Sequence, residues 1–210
     1  MVKPIREGIV MSKGFMRIAG RIAVLGVLGF ALAGCGINAI PAQDEQVKAA
    51  WSEVQNQYQR RADLIPNLVA TVKGYAKQEQ TVFIQVTEAR AKATQMVLPN
   101  DILSNPKAFQ QFEQNQAQLS GALGRLLAVS ENYPQLKSDQ NFLVLQAQLE
   151  GTENRIAVAR RDYIGAVQRF NTFLRTIPYR WTAAIFYPEL KPYQTFATSE
   201  KNQSAPQVNF

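Results

Sequence analysis

The stretch that decides the fold of this chain is residues 142–177, FLVLQAQLEGTENRIAVARRDYIGAVQRFNTFLRTI. Its apolar side chains recur at alternating spacings of three and four, which places them on one stripe of an α-helix. Ser138 precedes the stretch as a candidate N-cap, and Pro178 stops the helix because proline has no N–H to donate. The predicted helix has about 38 residues and a length of roughly 57 Å. So long an apolar stripe predicts partner helices along its whole length.

Upstream regions carry stripes of the same kind. The first runs from Asp44 to Tyr75 and continues in phase to Met96. Within it, Pro66 predicts a kink, with a break at residues 64–65 as the alternative. One uninterrupted helix of about 50 residues would outrun its partners, so a turn is predicted at residues 74–80.

After a loop at residues 98–105, Pro106 suits the first position of a third helix. Gly121 and Gly124 in this helix predict close approach of a neighbouring helix, with a hinge as the alternative. Residues 133–137 form the turn into the long helix. The apolar stripe of the third helix consists of Phe109, Phe112, Gln116, Leu119, Leu123, Leu126 and Ser130.

Four stripes joined by short connections predict an all-α fold, an antiparallel up-and-down four-helix bundle. The bundle domain is assigned to residues 44–193. Its last part, with Pro178, Pro188 and Pro192 among aromatic residues, is predicted to be an irregular strap. Residues 194–210 are predicted to be a polar, disordered tail.

Composition excludes several function classes. The chain of 210 residues has no histidine and a single cysteine, Cys35, which leaves little material for imidazole catalysis, thiol catalysis or a zinc site. The net charge of +7 is concentrated at the N-terminus, and the chain beyond Cys35 has 18 basic and 15 acidic residues. No nucleic-acid partner, cofactor, metal or small-molecule substrate is therefore predicted.

The N-terminus has the features of an export signal. A basic segment ends at Arg21, an apolar run follows at residues 22–33, and Leu32-Ala33-Gly34-Cys35 resembles the lipobox of bacterial lipoproteins. This resemblance implies a signal at residues 1–34, with Met11 and Met16 as alternative starts, and lipidation (palmitate) at Cys35. A tether follows at residues 35–43. The alternative is an uncleaved spanning helix at residues 22–43, which contain no charge. Either anchor puts the bundle on the non-cytoplasmic (periplasmic) side, with inner and outer membrane as open alternatives.

Charged clusters are the candidate site residues. Arg61 falls on the apolar stripe of the first helix, and an unpaired buried charge is very unfavourable, so Glu153 or Asp162 on the long helix is predicted to pair with it. The clusters form either an inter-helix network, which is favoured, or a partner-binding groove. A carboxylate-based metal site on Asp63, Glu88 and Glu153 is a third possibility. The full candidate set is Arg60, Arg61, Asp63, Glu88, Arg90, Glu153, Asn154 and Arg155.

Five segments resemble the signature segments of the LemA family. They are residues 60–69 (RRADLIPNLV), 72–76 (VKGYA), 86–91 (VTEARA), 131–134 (ENYP) and 151–156 (GTENRI). The resemblance extends from about Asp44 to Tyr193 and implies a four-helix bundle held at the bacterial envelope. Members commonly carry an N-terminal membrane helix, from which the Leu-Ala-Gly-Cys box departs. No activity is established for the family as a whole.

The sequence therefore predicts a membrane-anchored, non-enzymatic envelope protein that binds or scaffolds other envelope proteins. The alternative function is a metal-dependent hydrolase that uses the three carboxylates.

Overall fold

The computed structural model describes Gly20 and residues 38–196. The predicted signal, Cys35 and residues 197–210 of the predicted tail lie outside the described residues. Every regular element within residues 38–196 is helical, which confirms the all-α prediction. The helices are α1 (Ala39–Tyr75), α2 (Gln80–Thr94), α3 (Pro106–Val129), α4 (Pro134–Lys137), α5 (Gln140–Arg175) and α6 (Tyr179–Phe186), with a 3-10 turn at Ser130–Asn132. None of these helices is both long and apolar enough to cross a bilayer.

The described residues form two compact units. The bundle unit contains residues 43–172 and 191–196, and the smaller unit contains residues 38–42 and 173–190. In the smaller unit, Ile40 and Ala183 are buried, and the rings of Phe173 and Tyr179 lie 4.4 Å apart.

Contacts within the bundle unit confirm the up-and-down topology. Arg90 of α2 reaches Ala62 of α1, and Arg125 of α3 reaches Gln85 of α2, so that each helix runs opposite to the one before it. At the other side of α1, Tyr75 contacts Asp139 immediately before α5. The turn predicted near residues 74–80 joins α1 to α2, and α1 continues through Pro66 without a break.

Two cores fill the bundle unit, one on each side of Arg61. The aliphatic core comprises Ile65, Leu68, Val72, Val86, Leu119, Leu126, Phe142, Leu149 and their buried neighbours. The aromatic core comprises Trp51, Tyr58, Phe109, Phe112, Tyr163 and Phe196, whose rings lie 5.1–6.3 Å apart in contacting pairs.

Helix starts differ from the predictions in two places. α1 begins at Ala39, inside the predicted tether, because Pro41 lies in the first turn, where backbone N–H groups have no partner in the helix. α5 is capped by Asp139, whose Oδ1 accepts a 2.9 Å hydrogen bond from the backbone N–H of Phe142. The Ser138 hydroxyl, predicted to be the cap, instead donates to the carbonyls of Pro134 and Gln135.

The C-terminal predictions also need correction. α5 ends at Arg175, two residues before the predicted end, because Pro178 disfavours a helical conformation at Ile177. The predicted strap contains the helix α6. Residues 194–196, assigned to the tail, belong to the fold: the Gln194 N–H donates to the Leu103 carbonyl at 2.7 Å, and Phe196 is buried.

The two glycines of α3 do not mark a close helix contact. Both are exposed, and a Cβ at Gly121 would meet only the guanidinium of Arg125, at 3.9 Å. A Cβ at Gly124 would meet nothing within 4 Å. The prediction of close approach was therefore wrong.

Candidate functional site

Arg61 is the centre of the candidate site. It occupies a stripe position of α1 between Tyr58 and Ile65, so the helix itself directs its side chain into the bundle. The residue is only 1% exposed. A guanidinium stays charged at any physiological pH, and the protein must therefore supply polar partners for it.

Those partners come from α3 and α5. Arg61 Nη1 donates to Ser120 Oγ at 2.7 Å and to Glu153 Oε1 at 3.0 Å. Its Nη2 donates to the Gln116 side chain at 2.6 Å and to the Gln116 carbonyl at 3.4 Å. Glu153 is thus one of the two partners that the sequence predicted for Arg61, and the network as a whole connects α1, α3 and α5.

Asp162, the other predicted partner, does not take part. It is exposed, and its nearest cation is the adjacent Arg161, at 3.9 Å. Ser120 and the buried amide of Gln116 were missed as partners. Gln116 nevertheless carried a signal, since it is a polar residue on the apolar stripe of its helix, as Arg61 is on α1.

The network is open on one side. A groove of about 600 Å³ lies between α3 and α5, and its lining includes Arg61, Ser120 and Glu153. Glu153 keeps 43% of its side chain exposed, whereas Arg61 Nε is buried and has no hydrogen-bond partner among the described residues. At the rim, the Arg160 guanidinium lies 4.2 Å from the centre of the Phe196 ring. Burial raises the pKa of the Tyr58 phenol, whose ring lies 5.0 Å from the Arg61 guanidinium.

Arg90 binds the backbone of α1 directly. Its Nε donates to the carbonyl of Ala62 at 2.9 Å. In an α-helix that carbonyl would accept from residue 66, but residue 66 is proline and has no N–H. Arg90 therefore satisfies the buried carbonyl that Pro66 leaves unpaired.

The other predicted site residues are dispersed. Asp63 is exposed and accepts a 2.7 Å hydrogen bond from Gln59. Glu88 lines a different groove, between α2 and α3. The remaining members, Arg60, Asn154 and Arg155, are exposed.

The carboxylates proposed for a metal site therefore do not meet. Asp63, Glu88 and Glu153 lie on three different helices, and only Glu153 reaches the Arg61 network. Within residues 38–196 no three acidic or cysteine side chains are placed to hold a metal ion together. The hydrolase alternative thus lacks an assembled ligand set in the described part of the chain.

A second polar cluster closes the aromatic core. The Tyr163 hydroxyl donates to the Gln194 carbonyl at 2.8 Å, and the Tyr193 hydroxyl donates to Asp44 Oδ1 at 2.6 Å. Lys48 pairs with Asp44 at 2.8 Å. Burial raises the pKa values of Tyr163 and Tyr193, and the hydrogen bond to Asp44 adds to the second shift. These groups hold residues 193–194 against the bundle helices.

Comparison with known proteins identifies the family of the chain. Residues 50–210 match the family model described as LemA family. The chain belongs to the LemA family. Magnetosome protein MamQ 2 of Paramagnetospirillum magneticum is 27% identical over 184 aligned residues, which cover 78% of this chain and 66% of that protein. Magnetosome protein MamQ of Magnetospirillum gryphiswaldense is 24% identical over 192 residues, covering 83% of this chain and 71% of that protein. The chain thus spans about two thirds of the length of these relatives.

Proposed function

We propose that this LemA-family chain is a membrane-anchored, non-enzymatic protein of the bacterial envelope whose bundle acts as a scaffold for other envelope proteins. The observation that supports this most directly is the Arg61 network. Its charged and amide groups bind one another across α1, α3 and α5, which stabilises the bundle, and the network itself contains no assembled nucleophile and base among the residues that the structure describes.

The anchor is the second part of the proposal. Cys35 precedes the first residue of α1, Ala39, by only four positions. A lipid on Cys35 would then hold the bundle close to the bilayer on the periplasmic side. The relatives are named for a structure, the magnetosome, and not for a reaction, which favours a structural role for this chain.

The partner surface we propose is the groove between α2 and α3. It has a volume of about 580 Å³ and is lined by the glutamines Gln85, Gln114 and Gln118 among charged residues. Amide and charged side chains around a shallow groove suit a polar protein partner, because weakly held interfaces are polar and wet.

Site-specific photocrosslinking in cells tests the scaffold. A photoreactive residue at Gln118 is expected to capture a defined envelope protein, whereas the same residue at Gln168 is the matched control. Both glutamines are exposed on bundle helices, but Gln168 lines neither this groove nor the one above Arg61. Equal capture at both positions would contradict a specific scaffold at this groove.

Fatty-acid labelling tests the anchor. Cys35→Ser is expected to abolish labelling and to leave residues 1–34 attached. A wild-type chain that is never labelled and keeps residues 1–34 would instead show a spanning helix. Reproducible turnover of a substrate by the purified chain, abolished by Glu153→Ala, would overturn the non-enzymatic assignment.

A further inference from the structure

The smaller unit carries a concentrated apolar surface. Ile177 is 64% exposed, Trp181 61%, Ile185 72% and Phe186 55%. Single exposed apolar residues are ordinary on a soluble protein, but four large ones within ten positions form a patch that indicates an interaction site. We define this patch, Ile177, Trp181, Ile185 and Phe186, as the aromatic patch.

Helix α6 departs from the usual amphipathic arrangement because it has apolar residues on its exposed side as well as on its buried side. Ala183 is buried, and Tyr179 packs against Phe173. Trp181 and Ile185 are each two positions from these residues, which places them about 200° away around the helix. A helix on a water-facing surface carries polar residues on that side. α6 is apolar on both sides, so we expect its exposed side to contact a second apolar environment.

The charged residues near the aromatic patch indicate which apolar environment this is. Arg175 and Arg180 are exposed beside the aromatic patch, and residues 173–190 contain one acidic residue, Glu189, which follows Pro188 after the end of α6. Exposed tryptophan with nearby arginine is typical of segments that lie at the boundary between lipid headgroups and acyl chains. The indole inserts its apolar ring while its N–H stays hydrated, and each arginine can bind a lipid phosphate.

Position in the chain supports the same assignment. The smaller unit also contains residues 38–42, the start of α1, which directly follow the predicted anchor at Cys35. A patch of four side chains binds a bilayer only weakly when free. A tether raises its effective concentration at the membrane, so that weak contacts suffice.

We propose that the aromatic patch lies in the headgroup region of an anionic phospholipid bilayer, with Arg175 and Arg180 on lipid phosphates. This inference rests on the proposed membrane anchor only for the tether. It adds a second point of membrane contact, which fixes the orientation of the smaller unit on the lipid surface.

The chain supplies its own probe for the test. It has two tryptophans, and Trp51 is buried in the aromatic core while Trp181 is exposed. The full chain, purified from membranes, is reconstituted into phosphatidylglycerol–phosphatidylcholine vesicles with or without bromine on the acyl chains. The emission difference between wild type and Trp181→Phe reports Trp181 alone. That difference is expected to be quenched by the brominated lipid and shielded from acrylamide.

Two further variants sharpen the test. Val158→Trp with Trp181→Phe places the probe at an exposed apolar position of the bundle unit, and we expect no quenching by brominated lipid there. Arg180→Gln is expected to lower the ratio of docked to undocked patch about 5-fold, since one basic residue near an anionic surface contributes roughly this factor. Vesicles of phosphatidylcholine alone are expected to give a larger loss, because the attraction of both Arg175 and Arg180 to the anionic surface is then removed.

The outcomes separate the two proposals. A chain that floats with the vesicles but keeps Trp181 unquenched and open to acrylamide overturns the inference and leaves the anchor intact. Trp181 shielded from acrylamide but unquenched by brominated lipid means that protein, such as a second copy, covers the patch, and this also overturns the inference. A chain that does not float with the vesicles overturns both.

Discussion

On one side of Arg61, the bundle unit is filled by aliphatic side chains from four helices; on the other side, it is filled by aromatic rings from three helices and an extended segment. The difference follows from the length of α2, which has 15 residues and spans only about 22 Å. Beyond Thr94, the aromatic core has no fourth helix. Large rings, residues 193–196 and the buried loop residues Ile102 and Leu103 complete this half of the core, which therefore depends on a few large contacts, whereas the aliphatic half depends on many small ones.

Trp51→Ala is expected to have the largest effect. Its ring contacts Phe109, Phe112, Tyr163 and Phe196, with centres 5.1–6.3 Å away. The variant should lower the free energy of unfolding by about 4 kcal/mol, the usual loss for a large buried ring. Denaturant unfolding of the chain without residues 1–34 measures it, with Trp51→Phe as the milder control. A loss below about 1 kcal/mol would mean that the aromatic core is not a single packed unit.

Glu153→Leu tests the boundary between the halves. It removes the anionic partner of the buried Arg61 and should lower the unfolding free energy by about 2–3 kcal/mol, because Gln116 and Ser120 still bind the guanidinium. Arg61→Met combined with Glu153→Leu should recover much of this loss. Glu131→Leu, which removes the exposed partner of Lys137, is the control and should change stability by about 0–1 kcal/mol. If Glu153→Leu behaves like Glu131→Leu, Arg61 is solvated through the groove.

Arg90→Met probes the proline within the aliphatic half. It leaves the buried Ala62 carbonyl without a donor, which should lower the unfolding free energy by about 1–2 kcal/mol. Pro66→Ala supplies the missing N–H, so the same Arg90→Met change should be nearly neutral in that background. A double-mutant cycle measures the coupling. Equal effects of Arg90→Met in both backgrounds would show that Arg90 acts on something other than this carbonyl.

The predictable part of this molecule is the part with helical periodicity. The stripes predicted the bundle helices, and the one charge on the stripe of the first helix predicted that Arg61 pairs with either Glu153 or Asp162, of which the structure has Glu153. Ser120 could not be predicted in this way, because it lies off the stripe and bonds only through the position of α3 beside α1. The role of Arg90 could not be predicted from charge either, because its partner is a backbone carbonyl and not an acidic side chain.

The C-terminal region was less predictable for a related reason. Helix α6 has eight residues between two prolines, too few to establish a period. Phe196 is one aromatic residue in a polar stretch, and it is buried through ring contacts with Trp51, Phe109 and Tyr163, which lie on three different helices. The boundary between the fold and the tail therefore depends on contacts between residues far apart in the sequence, which periodicity does not reveal.

Tyr163→Phe tests the aromatic half through the dependence of the unfolding free energy on alkaline pH. It removes the hydrogen bond to the Gln194 carbonyl and should lower the unfolding free energy at neutral pH by about 1 kcal/mol. Burial raises the pKa of Tyr163, so the folded state retains this proton when the unfolded state loses it, above about pH 10. The stabilisation is present below that pH and is lost as pH rises beyond it. Unfolding at a series of alkaline pH values should show a shallower loss in Tyr163→Phe than in the parent.

Asp139→Ala should have the smallest effect and should act at acid pH, at the far end of the aliphatic half. The backbone N–H of Phe142 lowers the pKa of Asp139, and the Tyr75 hydroxyl adds to this shift. A carboxyl group with a lowered pKa stabilises the fold above its unfolded pKa of about 3.9, and this contribution is lost as pH falls through the folded value. The melting temperature of the variant should therefore be lower than that of the parent at pH 7, and this difference should shrink as the pH falls below about 4. Asp139→Asn is the control, because it keeps a capping oxygen without a titrating proton. A difference between parent and Asp139→Ala that stays constant across this pH range would show that the carboxylate charge does not contribute, and that Asp139 stabilises the start of α5 only through interactions that do not depend on its ionisation.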